Sequence, residues 1–206
     1  MSNMKKHDEN KFYQEYICRA VIEKIKPDLN FVKFESPDFF DTKKEIGMEV
    51  TIAEVANSYS NSMKYAKLKS GRFRDCEKAT RELLKNGKMT KAGYISNSFD
   101  PDPCDSICKG VNKKMKKLES WFYNYKKHWL VLSLKMPLYE YTEKIRNVVV
   151  KENIDKEFYF DKVFVVATNR VIEIESKTGW YNVTDFTPMQ MSECYHRAEK
   201  EADIKI

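Results

Sequence analysis

Two acids in this chain have the type and spacing to do chemistry: Asp38 in Pro37-Asp38-Phe39 and Glu49 in Gly47-Met48-Glu49-Val50-Thr51, with ten residues between them. A hard cation such as Mg²⁺ or Mn²⁺ keeps several waters and takes only one or two protein carboxylates, so a pair of acids can seat it. Such a cation stabilises negative charge on phosphate oxygens and lowers the pKa of a bound water. Each acid also has a plainer reading. Asp is common after Pro because its side chain hydrogen-bonds a turn, and Glu49 could simply face solvent opposite Ile46, Met48 and Val50. The joint spacing with Pro37 and Gly47 is what singles out the pair.

Local elements must bring the acids together. Apolar residues recur at helical spacing over 11–26, closed by Pro27. Residues 30–35 read as a short strand, which puts Asp38 just past its end. Residues 45–52 read as a second strand, with Ile46, Met48, Val50 and Ile52 on one face and Gly47, Glu49 and Thr51 on the other by the period of two. A turn at Asp41-Thr42-Lys43-Lys44 would join the two extended segments as a hairpin and let Asp38 and Glu49 converge at a surface cleft.

The remaining pattern predicts helices over 54–69 and 73–85, a loop or insertion over 88–103, and a long helix over 105–126. Strands follow at 128–136 and 161–168, both nearly all apolar as strands covered on two faces are. A helix is expected at 138–151, an alternating edge strand at 171–175, and a polar helix at 188–203. The sum is one α/β domain spanning 1–206, a mixed central β-sheet flanked by helices, with a loop or helical insertion at about 71–126.

The Pro37-Asp38 and Glu49 segments resemble the signature of the PD-(D/E)XK nucleases. That resemblance implies a restriction-endonuclease-like fold, a Mg²⁺ or Mn²⁺ ion held by Asp38 and Glu49, and hydrolysis of phosphodiester bonds in DNA. The family places a lysine two residues after the second acid, where this chain has Thr51. A relocated lysine is therefore expected from the following helix, with Lys64 favoured over Lys67 and Lys69, and Lys33 a weaker choice; Thr51 would stand near the attacking water. In one branch of the family a helix glutamate also faces the metal, a role open to Glu15 or Glu23, though either reads more simply as an exposed helix residue balancing lysines. The missing lysine also leaves room for a catalytically silent member that binds nucleic acid or a partner. A two-fold homodimer suits both the resemblance and the prevalence of two-fold symmetry.

Composition bounds these readings. The net charge of +6 is unevenly spread, with Lys109, Lys113, Lys114, Lys116, Lys117, Lys126 and Lys127 interleaved with Trp121, Phe122, Tyr123 and Tyr125. That stretch suits a polyanion and equally a solvated helix face. With 12 Phe, 12 Tyr and 3 Trp in 206 residues, the chain has the apolar content to fold. Five cysteines without a framework point to free thiols. With no membrane-length apolar run and no signal-peptide h-region, a cytoplasmic protein is expected. Cys104 and Cys108, near His128, Asp102 and Asp105, lack the second pair that a zinc site needs. No phosphate-binding glycine loop of the ATPase or dinucleotide type is present.

Overall fold

The computed structural model describes residues 6–53 and 102–203. The chain divides into two compact units, Met1–Glu54 with Cys104–Ile206 and, separately, Val55–Pro103. The expected helices at 54–69 and 73–85, and nearly all of the expected loop at 88–103, lie outside the described residues. So do Lys64, Lys67 and Lys69.

Helix α1 covers Lys6–Ile25, followed by β1 (Val32–Lys33), β2 (Phe39–Asp41) and β3 (Ile46–Ile52). Helix α2 covers Cys104–Leu118, and after a 3₁₀ turn at Phe122–Asn124 come β4 (Lys127–Ser133), α3 (Thr142–Asn153) and β5 (Lys162–Val166). The chain closes with β6 (Arg170–Glu175), β7 (Tyr181–Asp185) and α4 (Pro188–Asp203). The seven strands form one mixed sheet in chain order, antiparallel from β1 to β3, parallel from β3 to β5, and antiparallel from β5 to β7. The predicted α/β class with a mixed sheet between helices is what the structure has.

Alternation sorts the strand residues between two layers. Met48, Val50, Trp129, Val131, Phe164 and Val166 face α1 and α4, packing with Tyr16, Val21, Cys194 and Ala198 in the main apolar cluster. The opposite face, carrying Gly47, Glu49, Thr51 and Leu132, lies under α2, which in turn packs on α3.

Three expectations change. The strand opposite β3 is Phe39–Asp41, not residues 30–35, which contribute only the two-residue β1. Residues 171–175 do not form an edge: β6 is paired on both sides, because Tyr181–Asp185 adds a strand beyond it. The helix expected over 105–126 ends at Leu118 and belongs to the first unit, so the stretch from Cys104 onward is part of the sheet's own covering and not of an insertion.

Candidate functional site

The hairpin aligns the acids by register alone. Phe39 pairs with Met48, Phe40 with Gly47 and Asp41 with Ile46. Continuing by one step sets Asp38 opposite Glu49, and directly opposed residues of an antiparallel pair project on the same face. Asp41 fixes the turn, its carboxylate accepting the Lys44 N–H at 2.9 Å and the Asn30 N–H at 2.7 Å, while Glu45 takes the left-handed conformation at φ 53°. Beyond Phe39 the Asp38 side chain takes over the ladder: its Oδ2 accepts the Val50 N–H at 2.7 Å.

Two carboxylates opposed on a sheet repel unless a cation joins them. Lys114 of α2 is that cation. Its ammonium donates to Asp38 Oδ2 at 3.1 Å and to Glu49 Oε2 at closer range. Lys114 is only 3% exposed, Glu49 2% and Asp38 8%, so the triad is enclosed. Glu49 is thus a buried group, not a residue of an open cleft; the roof of α2 over β3 encloses it.

The helix comes this close because of Gly110. A Cβ there would stand 2.7 Å from Leu132 Cδ2 and 3.5 Å from Thr51 Cγ2. One turn later on the same stripe, Lys114 reaches the acids. Gly47 does similar work on the sheet, since a Cβ there would meet Trp121 at 2.6 Å and Tyr125 at 3.0 Å.

Burial and charge pull the three groups in different directions. Burial by itself would raise Asp38, but the Lys114 ammonium, the Val50 N–H and the charge of Lys33 outweigh it and hold the carboxyl below its ordinary value. For Glu49, burial and then the neighbouring Asp38 charge win over Lys114 and raise the carboxyl. Burial would lower Lys114, yet the two carboxylates raise it, so it stays an ammonium. The triad is therefore anchored by an ionised Asp38 and a charged Lys114, with Glu49 the acid of higher proton affinity.

The other expected residues fall as follows. Thr51 shares the face of Glu49 and is buried beneath Gly110. Glu15 is buried on α1 and pairs with Lys33 at 2.6 Å; Lys33 lies over the Phe39 ring and in turn acts on Asp38 through its charge. Glu23 holds structure instead, accepting the Phe31 N–H at 2.8 Å and pairing with Arg197. Cys108 donates to Glu152 of α3. His128 lies between Asp161 and the Phe122 carbonyl. Cys18, Cys104, Cys108 and Cys194 are free thiols, and Cys76 lies outside the described residues.

Lys114 is the residue of this cluster that sequence reasoning misses. The sequence places it in a surface lysine run, but Ile107, Gly110, Val111, Lys114 and Leu118 are the buried stripe of α2. A lysine at an apolar-stripe position is the available signal. Lys109, Lys113, Lys116 and Lys117 remain on the exposed side.

Among the described residues no group of three or more His, Cys, Asp or Glu side chains is gathered so as to hold a metal ion. The two acids expected to hold a cation, Asp38 and Glu49, are hard oxygen donors of the kind that suits Mg²⁺ or Mn²⁺, and both are paired with the Lys114 ammonium. Among the described residues no helix is long and apolar enough to cross a membrane. Comparison with protein-family models, with curated proteins and with solved structures finds no match.

Proposed function

We propose that this chain is a metal-dependent nuclease of the PD-(D/E)XK kind that hydrolyses phosphodiester bonds in DNA, with a restriction-endonuclease-like arrangement of its first three strands and α2. The observation that carries the reading is Lys114, which brings an ammonium to both Asp38 and Glu49 although Thr51 stands where the signature has lysine. In this reading the relocated lysine comes from α2.

A divalent cation held by Asp38 and Glu49 would supply positive charge at the phosphate and an acidified water. Asp38, kept ionised by the Val50 N–H and Lys114, is the constant anionic ligand. Lys114, kept protonated, is a hydrogen-bond donor and not a base; its part is to orient the attacking water or a non-bridging phosphate oxygen and to offset charge as the P–O ester bond breaks. Thr51 holds the floor beneath α2, which keeps Lys114 in reach. The exposed lysines of α2 suit contacts to the DNA backbone.

The test is cleavage of plasmid and single-stranded DNA with Mn²⁺, Mg²⁺ or EDTA, beside Asp38→Asn, Glu49→Gln and Lys114→Gln. Metal-dependent cutting that all three variants lose while remaining folded is the expected result. A folded wild type that binds DNA but cuts nothing with either metal would make the chain the silent member of the same fold, a reading favoured by the mutual neutralisation of the triad.

A further inference from the structure

On the sheet face opposite Glu49, a cavity of about 590 Å³ opens at the starts of β3, β4 and β5, beside the end of α1. Ile46 pairs with Lys127, Trp129 with Lys162 and Lys162 with Glu175, and partners side by side on a sheet share a face. Trp129 packs in the cluster beneath α1 and α4, so this is their face. The volume is that of a small-molecule site, and Leu29, Ile46, Trp129 and Tyr159 give it the apolar walls such sites have.

Its charges do not cancel. Lys26 and Lys162, both lining the cavity, share the Glu173 carboxylate at 2.8 and 2.6 Å. Glu173 is 3% exposed, and although burial alone would raise its carboxyl, the two lysines outweigh burial and hold it below its ordinary value. An ammonium carries three N–H donors, so each lysine keeps donors for a second anion. The other acids have partners: Asp28 pairs with Lys44 at 3.0 Å, Asp161 accepts the His128 N–H at 2.6 Å, and Glu175 accepts the Thr178 hydroxyl at 3.2 Å and lies 3.6 Å from Lys162. Lys177 donates to the Asn153 and Ile154 carbonyls at 3.1 and 2.6 Å. Lys127 is exposed and, among the described residues, its ammonium has no ion-pair or hydrogen-bond partner. Lys26, Lys44, Lys127, Lys162 and Lys177 thus face Asp28, Asp161, Glu173 and Glu175, five ammoniums against four carboxylates, and Lys127 is the one whose donors are all unused.

We infer that this cavity binds a small organic phosphate of nucleotide size, its phosphate held by Lys127 with the remaining donors of Lys26 and Lys162, and its apolar body against Leu29, Ile46 and Tyr159. The site lies across the sheet from the triad and does not rest on the nuclease reading.

The experiment is isothermal titration of the full chain, in EDTA, with the four nucleoside 5′-monophosphates, the matching nucleosides and inorganic phosphate, for wild type, Lys127→Gln and Lys200→Gln. Lys127 and Lys200 are both exposed, so neither change should move the melting temperature, and Lys200 does not line the cavity. Wild type should bind at least one nucleotide saturably. Lys127→Gln should bind it about tenfold or more weakly, the size of a hydrogen bond between charged groups, and Lys200→Gln should bind it as wild type does. The nucleoside and inorganic phosphate should each bind more weakly than the nucleotide. Equal affinity of wild type and Lys127→Gln, as for a nucleotide seated at the triad, overturns the proposal. So does the absence of saturable binding by all four nucleotides, or a nucleoside that binds as well as its phosphate. Lys127-dependent binding that inorganic phosphate matches in affinity makes the cavity an ion site and overturns the organic ligand.

Discussion

Replacing Lys114 with Met removes the ammonium and keeps the length of the side chain on the buried stripe of α2. Asp38 and Glu49 are then opposed on one sheet face, 8% and 2% exposed, without their shared partner. Removing one member of a buried ion pair costs about 3–5 kcal/mol. For a chain of 206 residues, with about 2–4 °C per kcal/mol, the melting temperature should fall by about 6–20 °C at pH 7. The loss should shrink as pH is lowered toward 5. Without Lys114, burial and the Asp38 charge hold Glu49 still further above its unfolded value, so its contribution is present at low pH and is lost as pH rises through the raised value. Mg²⁺ or Mn²⁺ should restore more stability to Lys114→Met than to wild type, because the vacated charge is one that a cation bound to Asp38 and Glu49 replaces. Thermal melts followed by circular dichroism, in EDTA and with each metal at both pH values, check all three. A variant that melts within about 2 °C of wild type at pH 7 in EDTA, less than 1 kcal/mol at this size, refutes the view that the triad is a tightly coupled buried unit.

In the wild type the same groups shape both pH limits. Asp38 is held below 3.8, so its contribution is full above that pH and is lost as acid carries the solution through its folded value. Lys114 is held above 10.5, so its contribution persists to that pH and disappears as alkali passes its raised value; alkaline melts of wild type should steepen there and those of Lys114→Met should not. Gly110→Ala puts a methyl 2.7 Å from Leu132 and should cost about 1–3 kcal/mol in denaturant unfolding, the range for overpacking a tight core. Burial pushes the Cys18 thiol up to about 12, so iodoacetamide at pH 8 should leave Cys18 unmodified in the native protein and alkylate it once the chain is unfolded, as read by peptide mass spectrometry. If exposed lysines dominate DNA binding by neutralising phosphates, Lys116→Gln with Lys117→Gln should weaken binding across sequences and flatten its salt dependence, by a slope change of roughly 0.7–0.9 for each phosphate no longer neutralised.

Local pattern alone dictates a good part of this protein. The helix at the start, the polar helix at the end, the two buried central strands and the α/β class follow from periodicity, which records which side of each element meets the core. The pairing of Asp38 with Glu49 is legible too, because a short turn and a period of two leave few registers that bury Ile46, Met48 and Val50 together. The rest comes from long-range packing. The role of β6 as an inner strand depends on Tyr181–Asp185, whose exposed, weakly alternating residues carry little strand signal. The cation of the site lies 65 residues from Glu49, and no local rule says which lysine of a basic run turns inward. The packing of α2 on the sheet at Gly110 makes that choice, burying the stripe that contains Lys114 and leaving its neighbours in water.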